Sequence, residues 1–269
     1  MTQLKTILEE HQTILVAVVA IFGLLIGSFL NVVAIRVPKR ESIAFPPSHC
    51  MHCKHRLGPL DLVPVLSWLL LRGRCRYCHG AISPQYPAGE AATALLFAFM
   101  AWQIGVSAEL LPALLLVSIL VAITLSDLRY MIIPDRVLLF GYMAGLLLRV
   151  FIHPLPLWNY VAASLIGCAL LYAIAWGSVA LLGREGMGGG DIKLFAFLGL
   201  LLGIKMTLLT LYLACMIGLL YGLTLLATSR FKRGQPIAFG PFIAAAAILA
   251  YGWGDEWLHA VWTWLVPEG

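Results

Sequence analysis

The sequence predicts an all-α polytopic membrane protein of about eight transmembrane helices, with one small cytoplasmic domain of zinc-ribbon type. Three observations lead there. Of 269 residues, 61% are hydrophobic and 12% charged, with a mean hydropathy of +0.92, which is more apolar surface than a soluble domain of this size can bury. Apolar runs of membrane length recur to the C-terminus, so lipid is the solvent for most of the chain. One basic, proline-punctuated stretch interrupts them and holds four of the six cysteines. The net charge of +5 fits basic cytoplasmic loops and assigns no nucleic-acid partner.

In order, residues 1–13 form a polar leader and 14–35 the first span. A cleaved signal peptide would have a basic start and a shorter apolar core. Here Lys5 is outnumbered by Glu9 and Glu10, which predicts a retained span. Gly23 and Gly27 form a GxxxG pair that permits close helix packing, and Ser28, Asn31 and Arg36 add polar groups to the same segment. The expected domains are 1–36, a first transmembrane span; 37–87, a cytoplasmic four-cysteine domain; and 88–269, a larger membrane domain. The further runs fall at 88–106, 110–126, 137–152, 158–182, 192–203, 206–228 and 239–265. The run at 192–203 is short for a span; beside a water-accessible glycine loop, it either begins deeper in the membrane or thins the bilayer. There is no internal repeat.

Cys50 and Cys53 in CMHC, and Cys75 and Cys78 in CRYC, are two CxxC knuckles. Their separation of about twenty residues suits a tetrahedral four-cysteine zinc site, closed and structural, in which each knuckle supplies two corners. Two disulfides are the alternative, disfavoured in a reducing compartment. His49, His52, His55 and His79 flank the knuckles, as solvated neighbours or as substitutes for a thiolate.

The string GMGGGDIKL at 186–194 sets Asp191 at a membrane helix start behind three successive glycines, Gly188, Gly189 and Gly190. There the backbone can turn sharply and another chain can approach closely. Earlier, SDLRYMIIPD puts Asp127 at the polar end of another apolar run. Read alone, the glycines are a flexible turn and Asp191 a solvated N-cap. Read together, the two acids suit an aspartyl hydrolase. One carboxylate acts as base toward water while its protonated partner polarises the carbonyl, and neighbouring acids in a low-dielectric site cannot both ionise. Glu90 and Asp135 are competing acids, but Pro134 and Asp135 also read as a helix start. Asp135 is therefore a supporting residue, with Gly188, Gly190 and Lys193.

Charge bias orients the chain. With the N-terminus outside, fifteen Lys and Arg fall inside and only Lys5, Arg149 and Lys205 outside. The cysteine domain, Asp127 and Asp191 then share the cytoplasmic face. Two other classes remain: a proton-coupled transporter, whose acids should lie near the midplane, and a membrane-anchored zinc-ribbon adaptor, in which the acids are idle.

GSFLNVV, the paired knuckles, LRGRC, SDLRYMIIPD, GMGGGDIKL and FGP at 239–241 occur in consistent order from about Gly23 to Pro241, and together they resemble the bifunctional type IV prepilin peptidases. The resemblance implies a GxGD aspartyl endopeptidase of the bacterial inner membrane. Such an enzyme removes the short basic leader of prepilins or pseudopilins after a glycine, then methylates the new N-terminal amine with S-adenosylmethionine as donor. It implies that Asp127 and Asp191 are catalytic, that 37–87 is associated with methyl transfer and that 88–269 is the peptidase. Gly73, Arg74 and Glu90 are the candidates for methyl transfer. PAGE at 87–90 departs from the family's usual proline, large aliphatic, valine, glutamate string but keeps Glu90, and the loop between Pro38 and the first knuckle is shorter than in many relatives.

Overall fold

Apolar runs of membrane length can satisfy their own backbone only as helices or closed barrels. In the computed structural model the chain takes the first form: among the described residues, 2–183, 187–228 and 237–265, there are eight α-helices and no strand. Gly186 of the glycine motif and four of the cations counted above, Arg184, Arg230, Lys232 and Arg233, lie outside the described residues. The helices are α1 (Thr2–Arg36), α2 (Leu66–Leu70), α3 (Gln85–Ile104), α4 (Leu110–Tyr130), α5 (Asp135–Phe151), α6 (Leu157–Leu182), α7 (Gly189–Ala227) and α8 (Gly240–Leu265). Among the described residues, four stretches are long and apolar enough to cross a membrane: His11–Arg36, Leu110–Tyr130, Leu157–Leu181 and Gly189–Ala227. The polar leader is not separate from the first span, because α1 runs unbroken from Thr2.

Two units make up the chain, Met1–Ser126 and Asp127–Gly269, divided within α4. In the first, α1 and α3 run antiparallel through the predicted small-residue contact. A Cβ at Gly23 would lie 2.8 Å from the Ala94 Cα, and one at Gly27 would lie 2.8 Å from the Glu90 Cα. Backbones this close need glycine, and dispersion contacts then bind helices that lipid does not push together. Polar side chains fasten both ends of the pair. Gln12 Nε2 donates to the Trp102 carbonyl at 2.8 Å, and Asn31 Nδ2 to the Tyr86 carbonyl at 3.0 Å.

In the second unit α7 packs against α5, α6 and α8. Its Leu194, Phe195, Phe197, Leu198 and Leu201 are fully buried, and a Cβ at Gly199 would stand 2.4 Å from the backbone of Ala163 in α6. The other side of α6 exposes Leu165, Tyr172 and Trp176, as a lipid-facing helix should.

The break in α7 explains why the sequence shows two runs where the structure has one 39-residue element: Gly203 sits at φ 75, ψ 173. That conformation is essentially confined to glycine. Breaking a helix orphans backbone groups, and three side chains recover them. Arg149 donates to the Leu201 carbonyl; Asn159 Oδ1 accepts the Ile204 N–H at 3.0 Å; Thr207 Oγ1 donates to the Gly203 carbonyl at 2.7 Å. Arg149 also lies 4.6 Å from the Tyr160 ring centroid and is only 2% exposed. It is therefore no external loop charge, as the charge count had it, but a buried clamp on the break. We expect Gly203→Ala to lose about 1–3 kcal/mol of stability from strain alone. Thermal unfolding in detergent checks this, and Arg149→Met should show a loss of similar direction.

Candidate active site and metal centre

The four thiols converge. Each knuckle is a tight turn: the Cys50 N–H donates to the His55 carbonyl at 2.9 Å and the Cys75 N–H to the Gly80 carbonyl at 2.9 Å. Matching bridges, His49 with Arg56 and Arg74 with Ala81, close the two turns. The Sγ atoms of Cys50, Cys53, Cys75 and Cys78 all lie within 4.8 Å of one another, with Cys50 and Cys78 at 3.8 Å. A tetrahedron of sulfurs each about 2.3 Å from a metal has edges of about 3.8 Å, so the donor set fits a metal ion. The cysteines are free thiols rather than disulfides, and the flanking histidines are not part of the cluster. Hydrogen bonding from the Cys53 backbone, helped by that of His52 and by neighbouring thiols, draws the Cys50 thiol down to about 6. The Gly80 amide favours a Cys78 thiolate too, but lost solvation and the sulfurs of Cys53, Cys75 and Cys50 push that thiol up to about 11. One negative charge is easily held and a second is resisted until a cation shares the site.

Around the cluster the domain is knitted by polar contacts. Arg76 Nε donates to Asp61 Oδ1 at 2.7 Å, and the His55 and Tyr77 ring centroids lie 3.7 Å apart, the rings tilted by 35°. Burial alone would raise the Asp61 carboxyl, but hydrogen bonds from Arg76 and the Gly58 amide hold it below its usual range. Gly73 lies beneath Trp68, where a Cβ would meet the indole at 2.9 Å. Arg74 lines a cavity of about 480 Å³ with Leu71, Arg72, Cys75, Arg76 and His79. Glu90 is buried in α3 and accepts the Val65 N–H at 2.7 Å. Val65 itself has φ 60, ψ −50, a rare conformation for a β-branched residue, so the Glu90 carboxylate helps hold a strained turn.

The acids of the second unit divide by environment. Asp127, near the end of α4, and Asp191, in the first turn of α7, are 6% and 8% exposed. Asp191 is not a solvated N-cap; that place is taken by Gly188. Asp135 begins α5 behind Pro134, as its sequence context predicts, and is largely exposed. It pairs with Lys193 at 2.7 Å, a surface bridge that joins the start of α5 to the first turns of α7. Beneath the bridge, Gly190 abuts Ile133, whose Cβ would lie 2.8 Å from an added methyl. The segment after Asp127 is thereby seated against the glycine motif.

Sequence reasoning missed Gly240 as a site residue. This first residue of α8 donates its N–H to Asp127 Oδ2 at 3.0 Å, and a Cβ there would sit 2.7 Å from the same oxygen. Only glycine admits a carboxylate so close to the backbone while offering an unpaired helix-start amide to it. The visible signal in the sequence is FGP at 239–241, whose glycine is the residue beside Asp127.

Family models match both parts of the chain: the Bacterial Peptidase A24 N-terminal domain over residues 21–104 and the Type IV leader peptidase family over 114–223. Among similar proteins, a "Prepilin leader peptidase/N-methyltransferase" of Bacillus subtilis is 40% identical over 90% of this chain and 96% of its own. Proteins of the same name from Aeromonas salmonicida and Pseudomonas aeruginosa are 37% and 34% identical, over 89% and 93% of this chain and 91% and 94% of theirs. No solved structure matches.

The convergent thiols predict about one bound metal ion per chain, lost on chelation together with protection of all four cysteines from alkylation. Elemental analysis and mass spectrometry of the alkylated protein check this, and Cys53→Ser should lower the metal content by itself.

Proposed function

The chain belongs to the type IV leader peptidase family, and we propose that it cleaves the basic leader of prepilins or pseudopilins at the cytoplasmic membrane face and methylates the new N-terminus. The observation that carries the proteolytic reading is the burial of two carboxylates, Asp127 near the end of α4 and Asp191 in the first turn of α7, within one unit. In the proposed reaction one carboxylate takes a proton from water as the water attacks the scissile carbonyl. The partner, protonated, gives its proton to the carbonyl oxygen. Collapse of the tetrahedral intermediate then releases the leader, the amine leaving with a proton returned by the pair. Gly240 fixes the Asp127 carboxylate through its amide. Gly188, Gly190 and the Asp135–Lys193 bridge support the pair by seating the segment after Asp127.

Residues 1–36 and 88–269 serve in this reading as the first span and the peptidase, and 37–87 as the cytoplasmic domain. The break at Gly203 supports counting α7 as two membrane segments, which with α1, α3, α4, α5, α6 and α8 gives about eight spans. The excess of Lys and Arg in alternate loops supports an N-terminus outside the bacterial inner membrane. Four thiolates favour zinc, in a closed structural site. Family membership leaves the transporter and adaptor readings without support.

S-adenosylmethionine would supply an electrophilic methyl group. Its sulfonium and ammonium are cationic, whereas the cavity beside the knuckle is lined by three arginines and a histidine and by no carboxylate. Arginines suit the donor's carboxylate, but nothing in that lining offsets its sulfonium and ammonium, so the cavity does not fit it. Gly73 and Glu90 serve methyl transfer by shaping the domain, one beneath Trp68 and the other on Val65.

Asp127→Asn and Asp191→Asn should each reduce conversion of full-length prepilin to its leaderless form by at least about a hundredfold, and the double variant should be no worse than either. Asp135→Asn should retain activity. Gly240→Ala, which displaces Asp127, should lower turnover in protein that still inserts and folds. Glu90→Gln should give cleaved, unmethylated product. The mass of the pilin N-terminus reads every variant, and substantial cleavage by either essential variant would refute the aspartyl pair.

A further inference from the structure

The cytoplasmic domain carries an apolar face with no partner in its own unit. Leu66, Leu69 and Leu70 share one side of α2 and are 57%, 56% and 82% exposed. The chain continues directly into the wall of the arginine-lined cavity. Arg76 is engaged with Asp61 there, which leaves Arg72 and Arg74 facing the cavity without an ion-pair partner among the described residues. Leucines on one side and unpaired arginines beside them are the composition of a segment that lies in a membrane interface.

The position of α2 points the same way. Its turn is fastened to α3 by the Val65 amide on Glu90. Glu90 lies five residues inside α3, which begins at Gln85, so the attachment is about 8 Å along the helix from its polar end. An interfacial helix buries its apolar face to a depth of about 5–10 Å. The domain also leaves α1 and enters α3 at the same end of their antiparallel pair, so both tethers hold it to one membrane surface.

We propose that the leucine face of α2, with Arg72 and Arg74, docks on anionic phospholipid at that surface. The leucines enter the acyl boundary and the guanidinium groups take headgroup phosphates. Bidentate guanidinium contacts suit phosphate oxygens, and the leaflet's negative potential adds to the attraction.

The test uses the full-length, metal-loaded protein in nanodiscs of phosphatidylcholine, with or without phosphatidylglycerol, and follows amide exchange at residues 66–72. Exchange should be about fivefold slower per engaged arginine when phosphatidylglycerol is present. Arg72→Ala, and the double variant Leu69→Ser with Leu70→Ser, should each return the rate toward that in phosphatidylcholine, while Arg72→Lys should largely keep the protection. Metal content reports folding, and Leu70→Ser alone replaces the double variant if that one loses its metal. Equal rates in the two lipids would overturn the proposal. So would slowing by inorganic phosphate alone in phosphatidylcholine discs, which would mark an anion site without lipid. Protection already complete in phosphatidylcholine and indifferent to the leucine variants would also overturn it, because another part of the chain would then be the cover.

Discussion

A backbone amide or carbonyl inside a bilayer has no water to turn to, and each one left over at a helix break or helix start must find a partner in the protein. Much of what is specific in this chain meets that requirement. The break at Gly203 is tolerated because Arg149, Asn159 and Thr207 take up the groups it frees. The amide at the start of α8 is taken by Asp127. The amide of the strained Val65 is taken by Glu90. Apart from Thr207, which returns to its own helix, each polar side chain is fixed by the backbone of another segment, so the helical framework also sets the orientation of its few buried charges.

For the proposed chemistry the second of these pairs matters most. A carboxylate free to rotate would spend little time in the geometry that proton transfer needs. An amide donor aimed at one oxygen restricts Asp127 without placing another titratable group beside it. Asp135 shows the contrast: exposed and paired with Lys193, it can position a segment, but water screens its charge. Burial and a backbone partner, not proximity in the motif, separate the two acids of SDLRYMIIPD.

The elements that could be read from the sequence are those that depend on local pattern. Four CxxC cysteines, a GxxxG pair and a proline before an acid each specify their geometry within a few residues. The cysteine cluster, the α1–α3 contact and the start of α5 accordingly lie where those patterns place them. The pairings that tie distant segments left no such trace. Asp127 and Gly240 are 113 residues apart and Arg149 and Leu201 are 52 apart, and no periodicity links them. An arginine at the end of an apolar run also has two physical meanings, a loop charge or a buried donor to a broken helix, and composition does not separate them. Only the carbonyl it meets does so.

The same constraint bears on the substrate. A leader peptide cut at the membrane face must present extended backbone, and extended backbone near lipid carries unpaired groups as costly as those of the enzyme. The first turn of a helix offers amides that have no partner within the helix. Gly190 is covered by Ile133, but neither Gly188 nor Gly189 would bring a Cβ into close contact with a neighbour other than Asp191 itself. A substrate strand laid there would satisfy the enzyme's leftover donors with its own carbonyls and bring its scissile bond beside Asp191. In the proposed reaction the glycines would do more than turn the chain: they would leave room at the helix start for a client's backbone.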